Sequence, residues 1–148
     1  MNLKDKLFSD LKGAMKARDT LKVDTLRILS SEIKNREIEL RQPLDDTEIL
    51  ALLINQIKKR KEAAALYDKG GRPELKEQEE REMAVLECYL PPQATDEELR
   101  RRIREVIEET GAQSLRDMGQ VMRVVVPEFK GQADGVRLKA LVTEQLNA

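Results

Sequence analysis

Leu3, Leu7, Leu11 and Met15 recur every four residues, with Asn2 placed as an N-cap and Asp5 three residues on. This spacing predicts an amphipathic helix that ends near Arg18. Leu26, Leu29, Ile33 and Leu40 make the next stripe, predicting a helix from about Thr20 to Arg41. It stops short of Pro43, because the residue before a proline is pushed out of the helical region. Asp45 and Glu48 form a further capping signature, opening a helix with Leu50, Leu53 or Ile54, Ile57 and Ala64 on one side as far as Tyr67. Lys69-Gly70-Gly71 closes it, since glycine accepts the left-handed conformation of a helix end. Pro73 suits the first turn of a fourth helix with Leu75, Met83, Leu86 and Leu90 as its apolar face, and Pro91-Pro92 ends it.

The pattern then restarts. Thr95 and Glu98 form a new capping box, followed by Leu99, Ile103, Val106 and Ile107 up to Gly111. Ser114 caps a stretch carrying Met118, Val121, Met122 and Val125, halted by Pro127. After a Lys130-Gly131 turn, Asp134 caps a last helix bearing Leu138, Leu141, Val142 and Leu146. Val124 to Val126 are β-branched and would also suit a strand, but no other run could pair with it, so helix is the better reading. The expected fold class is all-α: an N-terminal domain of about four helices over residues 1–92 and a small three-helix domain over 93–148.

Composition narrows the chemistry more than the fold. The 148 residues contain no His, no Trp and one Cys, with aromatics at only 3%. Without imidazole the usual general base near neutral pH and the commonest metal ligand are missing, so no catalytic residues, metal site or cofactor is expected. Cys88 cannot form an internal disulfide, which suits a reducing compartment, and its place between Leu86 and Leu90 suggests a packed or half-packed thiol. No apolar run approaches a membrane span and the N-terminus lacks a signal-peptide pattern, so the expectation is a cytoplasmic protein with no membrane contact. Charge is balanced, 27 Lys plus Arg against 28 Asp plus Glu. Any attraction to nucleic acid must therefore be local.

Lys58-Lys59-Arg60-Lys61 is the densest basic run. Folding the chain back at Gly70-Gly71 sets Lys59, Arg60 and Lys61 opposite Glu82, Arg81 and Glu80, so most of the run is expected to be taken up by cross-helix ion pairs. Arg27, Lys34 and Arg41 stand at heptad steps and make a better interaction stripe, although Glu37 lies close enough in sequence to neutralise Lys34. The turn at Gly70-Gly71-Arg72 could offer backbone N–H groups and a guanidinium to an anion. Glu77, Glu79, Glu80 and Glu82 read as a solvated or salt-bridged face, because no second carboxylate helix with a histidine accompanies them. In the C-terminal part Met118, Gly119 and Met122 combine adaptable thioethers with a residue that permits close helix approach. Lys130 lies in a turn, grouped in sequence with Arg123 and Arg137.

Several of these segments in this order resemble the GatB/YqeY family. They are Leu26-Arg27-Ile28-Leu29, Ile33-Lys34-Asn35-Arg36-Glu37-Ile38, Gly70-Gly71-Arg72, Glu79 to Glu82 leading to Tyr89-Leu90-Pro91, Met118-Gly119-Gln120-Val121-Met122 and Lys130-Gly131-Gln132-Ala133-Asp134-Gly135. The resemblance spans essentially the whole chain. It implies a C-terminal domain similar to the tail of the B subunit of glutamine-dependent aspartyl/glutamyl-tRNA amidotransferase, a tail that contacts the tRNA body. The catalytic domain of that enzyme has no counterpart here. A carbon-nitrogen ligase label with glutamine as amide donor would thus be inherited from the complex, and no activity is expected of the chain alone. The resemblance implies a tRNA-binding or amidotransferase-associated accessory module, with tRNA and an amidotransferase or aminoacyl-tRNA-handling protein as partners. RNA contact is expected at Arg27, Lys34, Arg72, Arg123 and Lys130, and a partner surface at Met118, Gly119 and Met122. Gln120 and Gln132 depart from the positive residues often found at those places. The alternative is a protein-interaction adaptor that does not bind RNA.

Overall fold

The computed structural model describes residues 2–147, which are all-helical, with seven α-helices, one short 3-10 turn and no strand among them. The chain divides into two compact units, Met1–Leu90 and Pro91–Ala148, each with its own core.

The N-terminal unit holds α1 (Leu3–Ala17), α2 (Thr20–Leu40), α3 (Asp46–Lys69) and α4 (Pro73–Glu87). Short polar side chains start three of them. The N–H groups of Asp5, Lys22 and Glu48 donate to Asn2, Asp19 and Asp45 at 2.8, 3.2 and 2.8 Å, satisfying donors that have no partner inside the helix. The core gathers Leu7 of α1, Leu26, Leu29 and Ile33 of α2, Ile49 and Leu53 of α3 and Leu86 of α4, with Leu44 and Tyr89 at its edges. Each fully buried aliphatic side chain here contributes roughly 1.5–3 kcal/mol of transfer free energy. Three members of the expected stripes are exposed instead: Met15, Leu40 and Leu75, at 51%, 40% and 42%. Ala14, one position before Met15, is buried in its place.

The α3–α4 hairpin closes through Gly71 at φ 68, a conformation in which a Cβ would be strained. Its register differs from the symmetric one read from the sequence. Arg60 pairs with Glu82, not Arg81 with Arg60 or Glu82 with Lys59. The cause is the asymmetry of the turn, in which α3 runs on to Lys69 while Arg72 stays outside α4 at φ -114. Helix α4 ends at Glu87, before the Pro91-Pro92 pair, and Cys88 follows it in an exposed position. The packed or half-packed thiol expected from its flanking leucines is therefore corrected: the thiol donates to the Ala84 carbonyl at 3.4 Å from an exposed position.

The C-terminal unit holds α5 (Asp96–Thr110), the 3-10 turn Leu115–Asp117, α6 (Met118–Glu128) and α7 (Gly135–Leu146). Thr95 and Glu98 form the reciprocal capping box, and Asp134 accepts from the Arg137 N–H at 2.7 Å. Leu99, Ile103 and Val106 of α5 meet Val121 and Val125 of α6 and Leu138, Leu141 and Val142 of α7. Residues 118–126 are helical, not strand. Pro127 does not halt α6; it sits inside the last turn, which still closes by Phe129 N–H to the Val125 carbonyl at 3.1 Å. The proline gives up the bond its own N–H would make to the Arg123 carbonyl, and its ring crowds that carbonyl, yet the turn persists.

Candidate functional site

The cations singled out by the sequence fall in three places. Arg27 and Lys34 lie seven residues apart on α2, about 10.5 Å along the helix axis at 1.5 Å per residue, and both are exposed. Arg27 borders a shallow depression on the outer side of α2 whose other walls include Asp24, Ser31, Glu32 and Asn35. Lys34 stands over the Phe8 ring, Nζ 5.3 Å from its centroid. Glu37 does not neutralise it. That carboxylate binds Lys4 at 2.9 Å and accepts the Leu44 N–H at 2.9 Å; these two donors, Lys4 first, hold it below the ordinary carboxylate range. Arg41 ends α2 in the left-handed conformation, exposed.

Arg72 is exposed at the α3–α4 turn. The anion nest expected around it is not formed, because the N–H groups of Gly70, Gly71 and Arg72 donate to the carbonyls of Leu66, Asp68 and Tyr67 at 2.9, 3.3 and 2.8 Å. Only the guanidinium remains to meet an anion.

In the C-terminal unit Arg123 and Lys130 are exposed and carry no ion pair among the described residues, as do Arg101 and Arg104. Arg137, grouped with them in sequence, is turned away: it donates to Asp96 at 2.8 Å and to the Ala94 carbonyl at 2.7 Å. Arg102 is held by Glu105, Glu109 and Glu128, and Arg100 by Glu144. Met118 and Met122 pack in part against the core. Gly119 faces open space, with nothing within 4 Å of where a Cβ would stand, so the close helix approach expected there is absent from this unit. The structure thus places the five cations at the surface as an α2 pair, a residue of the α3–α4 turn, Arg123 on α6 and Lys130 in the turn that follows α6.

A polar chain inside the N-terminal unit escaped the sequence reading. Gln56 and Arg60 continue the inner stripe of α3 set by Ile49 and Leu53, and both are 7% exposed. Arg60 Nη1 donates to Gln56 Oε1 at 2.6 Å, and Gln56 Nε2 donates to Glu32 of α2. On the other side Arg60 Nε lies 3.3 Å from Glu82 of α4, without an N–H directed at an acceptor. The signal was present in the sequence, since a polar residue at each next i+3 or i+4 step of an apolar stripe has to be buried with a partner.

Of the acidic cluster, Glu77 pairs with Arg81 and Glu80 with Lys76. No group of three or more Cys, Asp or Glu side chains able to hold a metal ion occurs among the described residues. Glu79 is different: burial, and then the neighbouring Glu82, raise its carboxyl above the ordinary value. A raised carboxylate destabilises the fold above its folded pKa, and this cost disappears as pH falls through that value toward 4.5. Glu79→Gln is accordingly expected to raise the unfolding midpoint at pH 7 by a small amount and to leave it unchanged at pH 4, as denaturant melts at the two pH values would read.

Comparison with known proteins adds the following. A family model described as Yqey-like protein matches residues 4–146. The mitochondrial proteins named "Altered inheritance of mitochondria protein 41" are similar to this chain. That of Vanderwaltozyma polyspora is 31% identical over 119 residues, 76% of this chain and 64% of the relative. Those of Eremothecium gossypii and Kluyveromyces lactis are 37% and 36% identical over 65% and 68% of this chain, and over 54% and 56% of their own lengths. The chain spans a little over half to just under two thirds of these relatives. Their names overturn the cytoplasmic expectation: a lone thiol and a polar N-terminus are equally compatible with another reducing compartment, and the named relatives are mitochondrial.

Proposed function

The chain belongs to the YqeY-like family, and on that premise we propose that it is an accessory module that docks on the phosphate backbone of a structured RNA of the tRNA class and performs no chemistry of its own. The same reading makes an amidotransferase or another aminoacyl-tRNA-handling protein the assembly it serves. One observation carries it. While Arg60, Arg100, Arg102 and Arg137 are committed to carboxylates, Arg27, Lys34, Arg72, Arg123 and Lys130 are exposed and free of ion pairs among the described residues. A free surface cation can exchange counterions for phosphates without first breaking an internal pair. Neither unit has an excess of basic residues, so binding of this kind is local and salt-sensitive, with little discrimination between sequences.

The test is a titration of unfractionated tRNA at two salt concentrations with the native protein and with a variant carrying alanine at all five positions. Each cation that meets a phosphate contributes about 0.7–0.9 to the slope of log affinity against log salt, so the native slope should be steep and the variant's shallow. Equal affinity at both salts, or an unchanged slope in the variant, removes the reading.

A further inference from the structure

In the N-terminal unit α1 and α4 both pack on α2 but make next to no direct contact with each other. The gap between them is a furrow of about 480 Å³, within the roughly 300–1,000 Å³ of sites that take small ligands or anchoring side chains. Its floor and one wall are apolar, from Leu21 of α2 with Ala84 and Val85 of α4. At one end Tyr89 is buried to 8% exposure and its hydroxyl donates to Asp10 of α1 at 2.5 Å. That bond joins α4's end to α1 and occupies one oxygen of Asp10, the one carboxylate in the lining, which three cations outnumber.

Three cations from three helices surround this apolar strip: Lys6, Lys22 and Arg81. Lys6 and Lys22 have no ion pair among the described residues, and Lys6 stands 5.5 Å from the Tyr89 ring centroid. Arg81 holds only the exposed Glu77, one turn back on its own helix, a pair of the kind worth about 0–1 kcal/mol and easily exchanged.

We propose that the furrow between α1 and α4 is the docking site for a short, acidic, amphipathic helix of a partner protein. Charge complementarity requires an anionic occupant. The apolar floor requires one that also carries aliphatic side chains at i, i+3 or i+4 spacing, which a phosphate backbone lacks. Arg81 to Cys88 is two helical turns, on the order of 10 Å at 1.5 Å per residue, so the contact is two turns long. This goes beyond the RNA reading, uses none of its five residues, and gives the module a protein-facing side.

Cys88 lines the same furrow, exposed, and is the sole thiol in the chain. Its alkylation rate with iodoacetamide therefore reports occupancy in the unmodified full-length protein. The probe is a fluorescein-labelled synthetic helix of Leu, Ala and Glu with leucines at i, i+3 and i+4 spacing, measured by anisotropy beside a peptide of scrambled order. Expected results are binding of the patterned peptide over the scrambled one, slowing of Cys88 alkylation at saturation, and a loss of affinity of about tenfold or more in the Lys6→Glu/Lys22→Glu/Arg81→Glu variant. Lys58→Glu/Lys59→Glu, a reversal on exposed residues outside the furrow, should bind as the native protein does. Equal binding of both peptides, no binding, or unslowed alkylation would overturn the proposal. So would polyuridylate RNA that displaces the patterned peptide and protects Cys88 equally. The alkylation readout uses native protein, so it stands even where the triple variant fails to fold.

Discussion

Arg60→Ala is expected to destabilise the N-terminal unit by about 3 kcal/mol, in the range for removing one member of a buried ion pair. The side chains of Arg60 and Glu82 are only 9% and 19% exposed. Truncation would leave the Glu82 carboxylate with no cation in a poorly hydrated setting, and Gln56 Oε1 without its donor at 2.6 Å. Beside it Glu79 is already raised by burial and by Glu82, and only Arg60 among its neighbours acts to lower it. Losing that cation therefore penalises two carboxylates. The penalty should shrink as pH falls toward the ordinary carboxylate range, because protonation of Glu79 removes part of the uncompensated charge.

A companion variant separates charge from packing. Arg60→Met/Glu82→Gln keeps the volume, removes both charges of the pair, and takes away with Arg60 the Glu82 charge that raises Glu79. Replacing a whole buried pair by uncharged groups of similar shape is frequently neutral or stabilising, so the double variant should recover most of the stability that Arg60→Ala loses. Urea melts of the three proteins at pH 7 decide it. If Arg60→Ala costs no more than an exposed pair such as Arg36–Glu39, the network is incidental.

Much of this architecture could be read from the chain because helix caps are local: a side chain and an N–H three residues away decide them. Asn2, Asp45, Thr95 and Asp134 all cap where the spacing placed them. Features that depend on where a second helix ends could not be read so directly. Leu75 continues the apolar spacing of α4 but sits in its first turn, beside the hairpin tip, and is 42% exposed. Cys88 was misjudged for the same reason, since α4 stops one residue before it. The Lys59–Glu82 pairing failed because Arg72, held in a non-helical conformation just outside α4, makes the hairpin asymmetric. Of the candidate cations, exposure could be anticipated from polarity alone. Freedom from ion pairs could not: Arg137 and Arg123 look alike in sequence, yet only Arg137 finds an aspartate, Asp96, across 41 residues of chain.

Ile103→Ala is expected to cost the C-terminal unit about 2–5 kcal/mol, the range for removing three methyl-sized groups from a packed core. Ile103 is fully buried on α5, in a cluster with Val121, Val125, Leu138 and Val142, so every helix of the unit has atoms on the cavity that would form. The unit is small, roughly 60 residues, and domains of that size hold on the order of 3–9 kcal/mol in total. One such cavity is thus about a fifth or more of what keeps it folded. The competing candidate for stability is the ion-pair network around Arg102, with Glu128 at 2.7 Å and Glu105 and Glu109 at 3.1 Å. It is exposed to solvent, and such pairs contribute about 0–1 kcal/mol each, so Arg102→Ala should cost less than Ile103→Ala and lose even that cost in high salt. Val136→Ala, at a position 79% exposed, should cost almost nothing. Amide exchange of α5, α6 and α7 reads all three variants in one experiment. If Arg102→Ala loosened these helices as much as Ile103→Ala does, charge rather than buried volume would be holding them together.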